Sequence, residues 1–231
     1  MAVARAGGNP IGGGKKPEKP KVEDTTKPPA GTKTQTEHPG GKHLGVDGVQ
    51  KITGASRDEA QEMYKATNDF TDGWYKQIRK AGFEGSPPAS QAAKERSDNV
   101  DKMIDKAPKF DGQVYRGIGV SPTAAQNIVD QAKQGNLISQ KGAASFSTSQ
   151  KTAEDFGSGN APGLDGQVIL FRSKGIQNGT SVKCISEFPG EDEVLMSSKA
   201  RWKPTGNIEE TTIGGRKAFI IDCEPFWGDI D

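Results

Sequence analysis

At 231 residues the chain has room for one large domain or two small ones, and 31 basic against 30 acidic residues leave a formal net charge of +1. That balance gives no overall field toward nucleic acid or a membrane surface, no apolar run reaches spanning length, and the N-terminus carries no apolar core of a secretory signal. The composition therefore predicts no nucleic-acid and no membrane partner, and a protein that acts in the cell that makes it or is exported by another machine.

Residues 1–43 contain no aromatic side chain and are dominated by Gly, Pro, Lys and Thr. Such a stretch cannot bury enough apolar surface to offset its ordering entropy, so it is expected to be a disordered tail, with a folded domain over 44–231. Both histidines, His38 and His43, fall in or beside this tail. A folded part without histidine argues against Ser-His-Asp and Cys-His catalysis, and no Cys/His cluster has metal-ligand spacing, so no metal is expected. Cys184 and Cys223 sit in apolar patterns and read as buried free thiols.

Ser56-Arg57-Asp58-Glu59 is a capping box that opens a helix. Ala60, Met63, Tyr64, Phe70, Trp74, Ile78 and Ala81 follow at helical spacing, with Gly73 as a break or a close packing point and Gly82 as the stop. Ser86-Pro87-Pro88 reads as a linker turn. A second helix is expected from Ser90, with Val100, Met103, Ile104 and Ala107 inward and Pro108 ending it. A strand follows over 113–117. Ser121-Pro122 then starts a third helix that ends at Gly135. Strand-like runs occupy 144–149, 167–172, 181–186, 193–197, 208–213 and 217–223, interrupted by a short helix over 151–156. Helices first and strands later predict an α+β class with mostly antiparallel sheets.

Three short segments carry the chemistry: Tyr115-Arg116-Gly117, Ser145-Phe146-Ser147-Thr148-Ser149 and Glu191-Asp192-Glu193. The arginine fork matches phosphate oxygens. The glycines around it allow close backbone approach to a ligand. Strand alternation puts Ser145, Ser147 and Ser149 on one face, and likewise Glu191 and Glu193. Taken singly, each segment is more often solvated surface. Their order and spacing are what distinguish them.

An arginine before glycine on a strand, Ser-Thr-Ser on the next and Glu-x-Glu before an apolar strand together resemble the mono-ADP-ribosyltransferases of the Arg-Ser-Glu group. That group includes the enzymatic components of actin-modifying binary toxins, Rho-modifying exoenzymes, phage-borne transferases and injected bacterial effectors. The resemblance covers about residues 51–223, and the missing histidine argues against the branch that holds NAD with one. It implies a fold of two packed, mostly antiparallel β-sheets with N-terminal helices. It also implies an NAD-consuming enzyme that transfers ADP-ribose to a side chain of a host or target-cell protein. Arg116 would hold the NAD phosphates and Gly117 would bond the carboxamide through its backbone. Ser147 and Thr148 would line the NAD site, and Ser147 would orient Glu193, the glutamate on the nicotinamide ribose. Glu191 would face the acceptor, with Phe188 in the loop that reads the target. Phe156 would stack on the nicotinamide or else pack in the core. The phosphate–nicotinamide loop would run over 157–166, where this chain lacks the arginine that family loops often carry.

Glutamate at 191 points to an arginine acceptor within the family, although related effectors modify threonine, including on ubiquitin. A monomer is expected, and the missing secretory signal fits delivery by injection into the target-cell cytoplasm or by a phage. NAD glycohydrolysis and a catalytically inactive binding module are the alternatives.

Overall fold

The computed structural model describes residues 31–35, 44–81, 90–139, 142–175 and 178–226. The helices are α1 (Gly45–Thr53), α2 (Arg57–Thr71), α3 (Tyr75–Ala81), α4 (Gln91–Lys106), α5 (Pro122–Lys133) and α6 (Gln150–Gly159). The strands are β1 (Thr34–Gln35), β2 (Lys109–Phe110), β3 (Gln113–Val120), β4 (Ile138–Ser139), β5 (Ala144–Ser147), β6 (Gln167–Lys174), β7 (Gly179–Ser181), β8 (Glu193–Met196), β9 (Arg201–Ile213) and β10 (Arg216–Pro225). A 3₁₀ turn, Pro189–Glu191, precedes β8.

Serine hydroxyls set four of the helix starts. Ser56, Ser90, Ser121 and Ser149 accept the backbone N–H three residues on, at 3.3, 3.2, 3.3 and 3.2 Å. The Glu59 carboxyl receives the Ser56 backbone N–H together with Lys102 and Lys106 from α4, and these donors hold it near 2. Gly73 does break the long apolar pattern, separating α2 from α3. Helix α1 was not legible, because Gly45 and Gly48 dilute its periodicity. Gly48 is required by packing: a Cβ there would lie 2.8 Å from Ile185 Cγ2.

Several expected boundaries shift. Residues Thr34–Gln35, inside the expected tail, form a parallel ladder with Lys109–Phe110. Residues 1–30 and 36–43 of the tail, both histidines among them, Gly82 and the Ser86-Pro87-Pro88 turn lie outside the described residues. The run 181–186 is not a strand: β7 ends at Ser181 and 183–185 is a turn, closed by Ile185 and Ser186 N–H groups donating to the Val182 carbonyl. Strand β5 ends at Ser147, so Ser149 leaves the face it was expected to share and caps α6 instead. Helix α6 runs on to Gly159, which shortens the following loop to 160–166.

The expected pair of sheets is one hydrogen-bonded sheet with two wings. Its order is β4-β9-β10-β6-β3-β5-β8-β7, antiparallel throughout except for β10 against β6. A single residue pair, Tyr115 with Ser147, joins the β3 wing to the β5 wing. The wings face each other across a shared core. Phe146, Val194 and Met196 from one meet Ile169, Phe171, Trp202, Phe219 and Ile221 from the other. Trp202 anchors this core, with Phe146 edge-on at 4.6 Å. Leu195 points the other way, into a second core with α1, α2 and α4. Helix α6 covers the outer face of the second wing through Ala153 against Val168 and Leu170. Cys184 and Cys223 are buried and free, and burial pushes both thiols up, Cys223 to about 12. No described helix is long and apolar enough to cross a membrane.

Candidate active site

The narrow junction between the wings opens into a cleft of about 500 Å³. Beyond Tyr115, β3 has β6 along one edge, while its other edge pairs with β5 only at that one residue. The cleft is lined there by Arg116, Gly117, Ile118 and Gly119. Strand β5 contributes Ser145, Phe146 and Ser147, α6 contributes Ala153 and Phe156, and the segment before β8 contributes Phe188, Glu191 and Glu193. Sequence-distant Arg116, Gly117, Ser147, Phe156, Phe188, Glu191 and Glu193 therefore share one concavity.

Arg116 lies with its guanidinium over the Phe146 ring, 5.7 Å from the centroid, and donates to the Ser145 carbonyl. The glycines of β3 have a reason beyond ligand access. A Cβ on Gly117 would stand 1.8 Å from the Ala153 carbonyl oxygen, and one on Gly119 would stand 2.1 Å from the Ala161 nitrogen. These glycines let α6 lie directly on β3, which delivers Phe156 to the cleft. Phe156 is half exposed there, so it is not a core residue.

Glu193 is 5 % exposed and begins β8 opposite Ser147. Burial raises its carboxyl to about 7, hydrogen bonds from Ser145 and Ser186 and the charge of Arg116 oppose the rise, and Glu191 adds to it. The Ser186 hydroxyl lies 3.2 Å from Glu193 Oε2. The hydroxyls bonded to the Glu193 carboxyl are thus those of Ser145 and Ser186, where Ser147 was expected. Ser147 Oγ donates instead to the Glu191 carbonyl at 2.6 Å and accepts the Ser149 N–H at 3.0 Å, holding the chain that carries Glu191. Thr148, expected at the NAD site, is not among the cleft-lining residues; its N–H donates to the Asp192 carbonyl at 3.2 Å. Glu191 is half-buried, and desolvation raises its carboxyl.

Two further groups were not anticipated. The α2–α3 corner supplies Phe70, Thr71, Asp72 and Tyr75 to the cleft, opposite the sheet. Arg96 pins this corner by stacking on Trp74 at 4.6 Å and pairing with Asp69. Nothing local marks these residues, because their apolar spacing reads only as a core-facing helix. The loop 160–166, which lacks its own arginine, is held by Arg216 of β10, whose guanidinium donates to the Gly163 carbonyl at 2.8 Å. Among the described residues no three His, Cys, Asp or Glu side chains are grouped to hold a metal.

No protein-family model matches the chain. A curated relative, described as a putative NAD(+)–arginine ADP-ribosyltransferase, Vis, of Vibrio splendidus, is 29% identical over 160 residues, covering 68% of this chain and 59% of the relative's length. A crystal structure of Vis with an inhibitor superposes with a TM-score of 0.59 at 22% identity, over 77% of this chain and 80% of that one. A second, with agmatine, gives 0.55 at 22% identity, over 78% and 82%. Exoenzyme S of Pseudomonas aeruginosa, solved with human 14-3-3 protein beta and carba-NAD, gives 0.51 at 17% identity, over 77% and 86%. The chain has the ADP-ribosyltransferase fold and is similar to bacterial mono-ADP-ribosyltransferase toxins and exoenzymes.

Proposed function

We propose that this chain is a mono-ADP-ribosyltransferase that moves ADP-ribose from NAD to a side chain of a target-cell protein, arginine favoured, and releases nicotinamide. The observation that carries the reading is the buried Glu193 carboxyl in one cleft with Arg116 and Glu191. Cleavage of the bond between nicotinamide and ribose C1′ needs no general acid, because the cationic ring leaves as neutral nicotinamide. Positive charge then develops on the ribose, as in glycoside hydrolysis. A carboxylate already desolvated beside that position stabilises the charge strongly.

The cleft fits NAD by its chemistry. Arg116 offers a planar fork for the pyrophosphate, Phe156 an exposed ring for the nicotinamide, and the strand edge at Gly117 backbone groups for the carboxamide. The acceptor nitrogen attacks C1′, and its proton passes to Glu191. A guanidinium acceptor suits a cleft that carries the carboxyls of Glu191 and Asp72, and Vis has been solved with agmatine, a free guanidinium compound. Phe188 is 47% exposed and stands at the mouth as the anchor for the target protein. The same reading has the protein acting as a monomer inside a target cell, delivered by injection or by a phage particle.

Labelled NAD is incubated with purified protein and bacterial or eukaryotic lysates, native chain against E193A. A discrete labelled band lost in the variant is the expected result. Nicotinamide release without any labelled protein would point to water as the acceptor, and no NAD turnover would overturn the catalytic reading.

A further inference from the structure

The two glutamates do not share the cleft by strand alternation. Glu191 ends a 3₁₀ turn, Glu193 begins β8, and Asp192 between them has φ 49° and ψ 49°, in the left-handed region. Asn178 is the other described non-glycine residue with positive φ. Residues with a Cβ enter this region at a cost, Asp and Asn most readily. Here the conformation is over-determined. The Glu191 carbonyl accepts from Ser147 Oγ at 2.6 Å, the Asp192 carbonyl from Thr148 N–H at 3.2 Å, and the Glu193 carbonyl from Val182 N–H at 3.0 Å. The Asp192 side chain pairs with Lys183, both about one-third exposed. Lys183 lies in the turn that also supplies Ser186, and Ser186 bonds both the Glu193 carboxyl and the Phe188 N–H.

We propose that Lys183 and Asp192 form a clasp that sets the spacing and relative aim of Glu191 and Glu193, and thereby partitions turnover between the acceptor side chain and water. Both are positioning residues. The clasp ties the left-handed turn to the segment whose Ser186 holds Glu193. With the clasp released, Glu193 stays in register with Ser147 and bonded to Ser186, so NAD cleavage suffers least. Glu191 sits outboard of the turn and loses its aim, so transfer suffers most. This partition rests on the transferase reading above; the spacing of the carboxyls does not.

The test uses K183A, D192N, D192G, D192A and D192V in the full chain, with thermal melts to confirm folding. Transfer to agmatine and nicotinamide release are measured in parallel. K183A, D192N and D192G remove the ion pair while tolerating the left-handed backbone, so a small, shared fall in the ratio of transfer to release is expected. D192A should fall further and D192V furthest, by on the order of tenfold. A merely structural role would lower both activities together and leave the ratio unchanged, which overturns the proposal.

A second readout does not depend on activity. Glu193 faces Glu191, which raises its titration, and Arg116, which lowers it. Carboxyl ¹³C titration should move Glu193 downward in D192V, and in D192A if the valine variant does not fold. Unaltered titration would sink the clasp even if the enzyme transfers normally. Shifted titration in a protein that never consumes NAD would keep the clasp and discard the transferase.

Discussion

Substituting Glu193 by Gln should stabilise the protein while abolishing its chemistry. The carboxyl is 5 % exposed and raised by burial from 4.5 to about 7. A carboxyl with a raised folded-state pKa binds more protons folded than unfolded between those values. Its contribution to stability is therefore present at pH 4 and lost as pH climbs through about 7. Ionising the carboxyl in this buried position costs roughly 3 kcal/mol at pH 8, as an upper bound. Gln keeps an oxygen for the Ser145 and Ser186 hydroxyls and has no charge to desolvate. At roughly 2–4 °C per kcal/mol, E193Q should melt up to about 6–12 °C above the native chain at pH 8 and close to it at pH 5. Activity should run the other way. Native kcat/KM rises from pH 5 to 8 as Glu193 ionises, and E193Q falls by about 10²-fold or more at every pH. Circular-dichroism melts at four pH values, beside NAD turnover, decide the matter. A pH-independent difference in melting temperature, or a less stable E193Q at pH 8, would refute the assignment of a strained buried carboxyl.

Arg116→Lys should raise KM for NAD and cut kcat/KM by about 10–100-fold, because an ammonium cannot replace the fork that also donates to the Ser145 carbonyl; initial rates across NAD concentrations test this. Gly117→Ala forces α6 off β3, since its Cβ would meet Ala153 oxygen at 1.8 Å; a loss of about 3 kcal/mol in urea unfolding is expected. Phe188→Ala should reduce labelling of the protein acceptor more than hydrolysis of NAD, because the ring is exposed at the cleft mouth; band intensity against nicotinamide release reads the ratio.

Much of the helical framework was written in local chemistry. The hydroxyls of Ser56, Ser90 and Ser121 satisfy N–H groups three residues on, so each start could be read from a window of four residues. Ser149 shows the limit. Its hydroxyl caps α6 by the same chemistry, yet apolar alternation with Phe146 made it look like strand. Arg116, Glu191 and Glu193, which line one cleft, could be singled out because they lie in recognisable short contexts. Their partners could not. Which serine bonds Glu193 depends on the fold of the turn after β7 as well as on β5, and Ser186 lies seven residues from the carboxyl it serves.

The sequence by itself determined the starts of α2, α4 and α5, the α+β class, the buried thiols and three of the charged groups at the cleft, Arg116, Glu191 and Glu193. These follow from side-chain chemistry within a few residues. Tertiary structure decided how those groups meet. The ladder between the wings is one pair, Tyr115 with Ser147, and the gap beyond it makes the cleft. The α2–α3 corner closes its far side, Gly117 lets α6 bring Phe156 to it, and left-handed Asp192 aims the two glutamates. Each of these is set by a contact or backbone state whose energy lies between segments far apart in the chain, and so has no local signature to read.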